Sequence, residues 1–128
     1  MKFFVVANKL NPNLSTVLRM VDFLQQRGHD IVYFQPLQKT ATFNFEHKLE
    51  LLKSCDRLIF EASFGDFDDG FLVSLATSKL IKKTLIIYNV TNADIVPEVI
   101  RGCTYPHVYI KPYNTWQDLQ NILTLLQF

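Results

Sequence analysis

Short apolar or β-branched runs alternate with longer stretches of helical spacing, and this alternation constrains the 128-residue chain more than any other feature. Lys2–Ala7 reads KFFVVA and is apolar after its lysine, the pattern of a strand covered on both faces rather than one. Asn11 followed by Pro12 reads as a helix N-cap with proline at the first helical position. Leu14, Val17, Leu18, Val21 and Leu24 then recur at helical spacing, and Gly28 supplies a stop signal. Asp30–Phe34 is a second strand.

The same alternation continues to the end. Pro36–Thr42 reads as a loop, with Thr42 capping a helix whose inward stripe is Phe45, Leu49 and Leu52 and which runs to about Cys55. Arg57–Ala62 is a third strand, followed by an acidic loop and a helix from about Gly70 with Phe71, Leu72, Leu75 and Ala76 inside. Lys82-Lys83 is expected to close that helix, where positive charge suits the C-terminus. Thr84–Tyr88 is a fourth strand, Asn89–Asn92 a loop, and Asp94–Arg101 a short helix begun or interrupted at Pro97. His107–Lys111 is a fifth strand. Thr115 and Asp118 approximate a capping box for a last helix carrying Trp116, Leu119, Ile122, Leu123 and Leu126. Five strands alternating with five helices give an α/β fold, a flavodoxin-like doubly wound parallel sheet in the order 2-1-3-4-5. Such sheets bind ligands beyond the carboxyl ends of their strands. The loops Asn8–Pro12, Glu61–Gly70 and Asn89–Asn92 therefore surround one expected crevice.

Length and composition narrow the partners. The chain fits a single domain, residues 1–128, with a sizeable core and no internal repeat or linker. Its hydrophobic fraction is 48% and it holds 11 phenylalanines, so aromatic packing is expected. Thirteen basic residues against 12 acidic leave a net charge of +1 and no basic block, which argues against a nucleic-acid polymer held by its phosphates. Two cysteines, Cys55 and Cys103, are too few for a disulfide scaffold, and Cys55 reads as a buried thiol. The apolar N-terminal run is too short for a signal peptide, and no stretch is long enough to span a membrane. A cytoplasmic protein without membrane partners is the expectation.

Five of the twelve acids, Asp56, Glu61, Asp66, Asp68 and Asp69, crowd into DRLIFEASFGDFDDG. The bland account is a solvated turn between strand and helix; the functional one is the rim of a site. Several familiar sites are absent. The sequence has no glycine-rich dinucleotide fingerprint and no phosphate loop. His29, His47 and His107 lack metal-ligand spacing and read as surface or turn residues, so no metal and no cofactor are expected. A phosphorelay receiver domain shares this fold and would be served by Lys111-Pro112, but the first strand ends Ala7-Asn8-Lys9 without the acidic pair that holds magnesium, and the third ends in Glu61. Flavin binding lacks its hydroxyl- and glycine-rich first loop. Of the aromatics around the acidic loop, Phe43, Phe45, Phe60 and Phe71 read as core, while Phe64 and Phe67 could stack on a planar ligand.

The run KLELLKSCDRLIFEASFGDFDDGFLVSLATSKLIKKTLIIYN resembles the nucleoside 2-deoxyribosyltransferase superfamily, which includes nucleoside 5′-monophosphate N-glycosidases. SCDRLIFEAS resembles its third strand, Gly70 its second loop glycine, Ala76 its helix alanine and KKTLIIYN its next strand; the helix closing on Arg-Gly-His and the final Tyr113…Asp118-Leu119 segment extend the likeness over nearly the whole chain. The resemblance implies a nucleoside or nucleotide ligand, N-glycosidic cleavage through a carboxylate nucleophile, and a homodimer. It also implies a defect. The nucleophilic glutamate falls on Leu72, the aspartate of the preceding helix on Lys48, the first glycine on Asp68 and the first-strand tyrosine near Val5, while the loop acid is kept as Asp66. The expectation is a nucleotide-binding domain with a degenerate catalytic set, lined by Ala7, Asn8, Glu61, Ser63, Asp66, Asp68, Gly70 and Asn89. The alternatives are an active glycosidase or transferase using Asp66 and Asp69, or an interaction scaffold with no small ligand.

Overall fold

The computed structural model describes residues 1–7, 10–32, 40–64 and 67–125, except for the side chains of Phe67 and Asp68. Five parallel strands form one sheet: β1 (Lys2–Val6), β2 (Asp30–Val32), β3 (Arg57–Glu61), β4 (Lys83–Asn89) and β5 (Val108–Tyr113). Their order is β2-β1-β3-β4-β5, as the alternation of elements requires. Phe4 pairs with Leu58, Ile59 with Leu85 and Ile87 with Lys111, so the apolar runs lie in register across the sheet. β5 runs two residues beyond the expected Lys111 and tolerates Pro112 because it is an edge strand.

Alternate side chains of the strands enter two separate cores. Phe3, Val5, Ile59, Leu85 and Ile87 pack with Val17, Met20, Val21 and Leu24 of α1 (Leu14–Gln26) and Leu119 of α5 (Trp116–Leu125). Phe4, Leu58, Phe60 and Ile86 pack on the opposite face. Their partners are Leu52 of α2 (Ala41–Ser54) and Leu72 and Val73 of α3 (Phe67–Ser74), with Val96 ahead of α4 (Glu98–Arg101). Burial on both faces is why the strands read as unbroken apolar runs.

Helix ends depart from the expectation in instructive ways. Asn11 is not the N-cap of α1: its Oδ1 accepts from the Asn13 backbone N–H at 2.8 Å, a side-chain turn one step ahead of the helix, and Asn13 occupies the cap position. Gly28 does end α1, with φ of +86°. Thr40, not Thr42, caps α2 through a 3.1 Å bond from the Phe43 N–H. The expected α2 stripe is also corrected, since Phe45 is exposed and Leu52 carries the burial; Leu18, Phe43 and Phe71 likewise face solvent. Lys82-Lys83 does not close the helix after β3. That helix passes into a π-helical turn at Leu75–Lys79, and Lys83 already belongs to β4. Lys82 instead serves α2, its Nζ donating to the carbonyls of Lys53 (3.0 Å) and Cys55 (2.6 Å) at that helix's end. The crossover after β4 holds a 3₁₀ turn at Val90–Asn92 and only one helical turn at Glu98–Arg101, shorter than the expected Asp94–Arg101. The capping box of α5 forms as expected: Asp118 accepts from the Thr115 N–H at 3.0 Å and the Thr115 hydroxyl accepts from the Asp118 N–H at 3.2 Å. Phe34, Pro36–Lys39 and Leu126, assigned above to elements or loops, lie outside the described residues.

Candidate functional site

The carboxyl ends of β1, β3 and β4 bring three loops together, and side chains tie those loops to one another. Asn11 Nδ2 donates to the Glu61 carbonyl at 3.3 Å. Asn13 Nδ2 donates to Asn92 Oδ1 at 3.1 Å. The Asn89 N–H donates to the Ser63 hydroxyl at 2.8 Å, and Asn89 Oδ1 accepts from both the N–H and the hydroxyl of Thr91. Short amides and hydroxyls suit this work because each both bonds and turns the backbone.

Beneath the loops lies a buried acid. Glu61 ends β3 with no exposed surface, where an uncompensated carboxyl would be costly. Both of its oxygens are engaged within the chain. Oε1 accepts from the Ser63 N–H at 2.5 Å, and Oε2 accepts from the hydroxyl of Tyr113, the last residue of β5. Burial pushes the Tyr113 hydroxyl far above its ordinary range, and the bond to Glu61 raises it further. The pair stitches the middle of the sheet to its edge.

The expected site residues divide accordingly. Glu61 and Ser63 are wholly buried and turned toward the protein. Ala7, Gly70 and Asn89 are half-buried around the loop cluster. Asp69 stands in the first turns of α3, half-buried, with its Oδ2 shielded from solvent. Asn8 and Asp66 lie outside the described residues, as does the side chain of Asp68. Leu72 follows Asp69 by one turn and is only 7% exposed, its side chain in the core with Phe60, Ala62 and Ile86. Lys48 is half-buried on α2. Val5 lies in the α1–α5 core, on the other face of the sheet from Leu72.

The sequence reading missed Asn13, Asn92 and Tyr113 as parts of this assembly and mistook Asn11 for a cap. One signal was available. A glutamate closing a doubly buried strand must find a polar partner, and a tyrosine closing the edge strand is well suited to supply one. Among the described residues no three His, Cys, Asp or Glu side chains stand close enough to share a metal ion, and no helix is long and apolar enough to cross a membrane.

No protein-family model matches the chain, and no curated protein sequence matches it. Among solved structures it is similar to the CMP N-glycosidase BcmB of Clostridium botulinum, with a TM-score of 0.76 over 98% of this chain and 100% of that one. The two are 16% identical, so the likeness is one of fold.

Proposed function

We propose that this chain binds a nucleoside or nucleotide at the loop cluster beyond β1, β3 and β4 and has lost the power to cleave its glycosidic bond. The observation that carries the reading is Leu72: apolar and buried, at the position onto which the resemblance carries the nucleophilic glutamate. In that chemistry a carboxylate attacks the anomeric carbon and forms a glycosyl ester, an acid assists the departing base, and water then releases the sugar. An isobutyl group has no lone pair to offer. Lys48, where the resemblance sets an aspartate, cannot hold the sugar as a carboxylate does. The fold shared with a CMP N-glycosidase supports the ligand class, and the loop cluster supports its position.

A second reading keeps the chemistry and moves it to Asp69. That carboxylate lies one helical turn ahead of Leu72 with one oxygen shielded from solvent, and Asp66 would be its partner. Two measurements separate these readings. In the first, CMP, dCMP and their nucleosides are added and unfolding temperature is followed, since a ligand bound only by the folded state raises it. In the second, free base is assayed by chromatography. A rise in unfolding temperature without base release is expected. Base release by the unmodified chain that vanishes in Asp69→Asn would overturn the degenerate reading in favour of the second. The absence of both stabilisation and release would remove the ligand altogether.

Self-association belongs to the same proposal. Phe43 of α2 and Phe71 of α3 are 44% and 48% exposed on neighbouring helices of one layer. A second copy packed on that layer would cover them.

A further inference from the structure

A cavity of about 490 Å³ opens between α3 with its π-helical turn on one side and α4 with its following loop on the other. It arises from the short crossover. A single turn of helix at Glu98–Arg101 cannot cover the sheet between β4 and β5, so Ile86 and Val108 form a floor with Val73 beside them. Its walls are pinned. The ring of His107 bonds the Thr77 carbonyl through Nε2 at 2.7 Å, and the Lys82 N–H reaches the Ala76 carbonyl at 2.9 Å. Tyr105 stacks on His107 with centroids 5.5 Å apart and planes 14° from parallel, which holds its ring in place at the wall.

We infer that this cavity is a second small-molecule site, and that it takes an uncharged, largely apolar compound. Volume is the first argument: clefts of roughly 300–1,000 Å³ are the size that holds small ligands. Gly70 is the second. It sits inside α3, where glycine costs about 1 kcal/mol relative to alanine, yet a Cβ there would meet no atom within 4 Å. Among the described residues no side chain or backbone fills that space, and Gly70 lines the cavity. The third argument is chemical. Ser74, Ser78, Thr104 and Tyr105 line the cavity above the apolar floor, and among the described residues the lining holds no Lys, Arg, Asp or Glu. Hydroxyls can donate to or accept from a neutral compound, but an anion would enter without a counter-charge. The site is therefore distinct in preference from a nucleotide site at the loop cluster.

Cys103 lines the cavity and is half-buried, while Cys55 is 2% exposed in the core. The first thiol can report occupancy and the second serves as an internal control. Alkylation of the native chain by iodoacetamide, followed by mass spectrometry, would be run with indole and with indole-3-acetate as probes. Indole is expected to slow Cys103 alkylation saturably, about tenfold at a concentration about ten times its dissociation constant, and indole-3-acetate to have little effect. Ser74→Trp, which fills the mouth from an exposed position, should make alkylation slow and insensitive to indole; Thr104→Trp is the second variant, and circular dichroism checks both folds. Equal protection by both probes, or protection by neither, overturns the inference. So does slowing caused by protein concentration alone, which would assign the cavity to a second copy of the chain.

Discussion

Tyr113 and Glu61 form a buried bond that joins the ends of β5 and β3. Tyr113→Phe keeps the ring but strands Glu61 Oε2 in the core, and a buried acceptor without its donor costs about 1–3 kcal/mol. The pH dependence follows from the direction of the shift. The folded pKa of Tyr113 is raised above the ordinary value of 10.0, so its contribution is complete below that pH. As pH climbs further, the unfolded tyrosine ionises while the folded one does not, and the contribution is lost. The difference in stability between the native chain and Tyr113→Phe, followed by urea unfolding, should therefore be constant near neutrality and shrink above pH 10. Ile81 is the opposite case. It holds φ of +50° while 59% exposed, a left-handed conformation that costs a β-branched residue about 1–2 kcal/mol. Ile81→Gly should raise stability by about 0.5–1 kcal/mol, because relief of strain exceeds the added freedom of the unfolded chain. An unchanged or lowered midpoint in the same unfolding assay would remove the strain assignment.

At the scale of elements, α2 is the most loosely supported long helix. Among its fourteen residues only Leu52 is fully buried, and its first half leans on the Thr40 cap. Thr40→Ala should cost about 1 kcal/mol, and its effect should be local. Amide exchange is expected to quicken across the first turns of α2 and to stay unchanged in β1, β3 and β4. A uniform change would mean that α2 unfolds only with the whole domain. Elements also mark where sequence and structure part. The end of α1 at Gly28 and the α5 capping box are readable because stop signals and caps act within a few residues. The π-helical turn at Leu75–Lys79 carries no such local signal; its Thr77 carbonyl bonds the ring of His107, thirty residues away.

For the whole molecule the central question is what covers the α2–α3 layer. Light scattering at micromolar concentration is expected to give the mass of a dimer, and Phe43→Ser combined with Phe71→Ser is expected to give a monomer with an unchanged circular dichroism spectrum. Both side chains are about half exposed, so their loss leaves the domain core intact. A native chain that is monomeric, or a variant that still associates, would place the contact elsewhere or nowhere.

The sequence by itself determined the sheet and its order. Apolar strand runs, helical spacing and short connections admit few topologies, and parallel crossovers keep one hand. It also placed Glu61, Ser63, Gly70 and Asn89 at one edge, since loops that follow parallel strands emerge on the same side. Only the tertiary structure decided what those residues do. Glu61 turns inward to Tyr113, fifty-two positions away, and the Ser63 hydroxyl to the Asn89 N–H. The exposure of Phe45 and Phe71 and the cavity left by a one-turn α4 arise in the same way. Side-chain direction and the gaps between helices depend on contacts distant in the chain, and no local pattern encodes them.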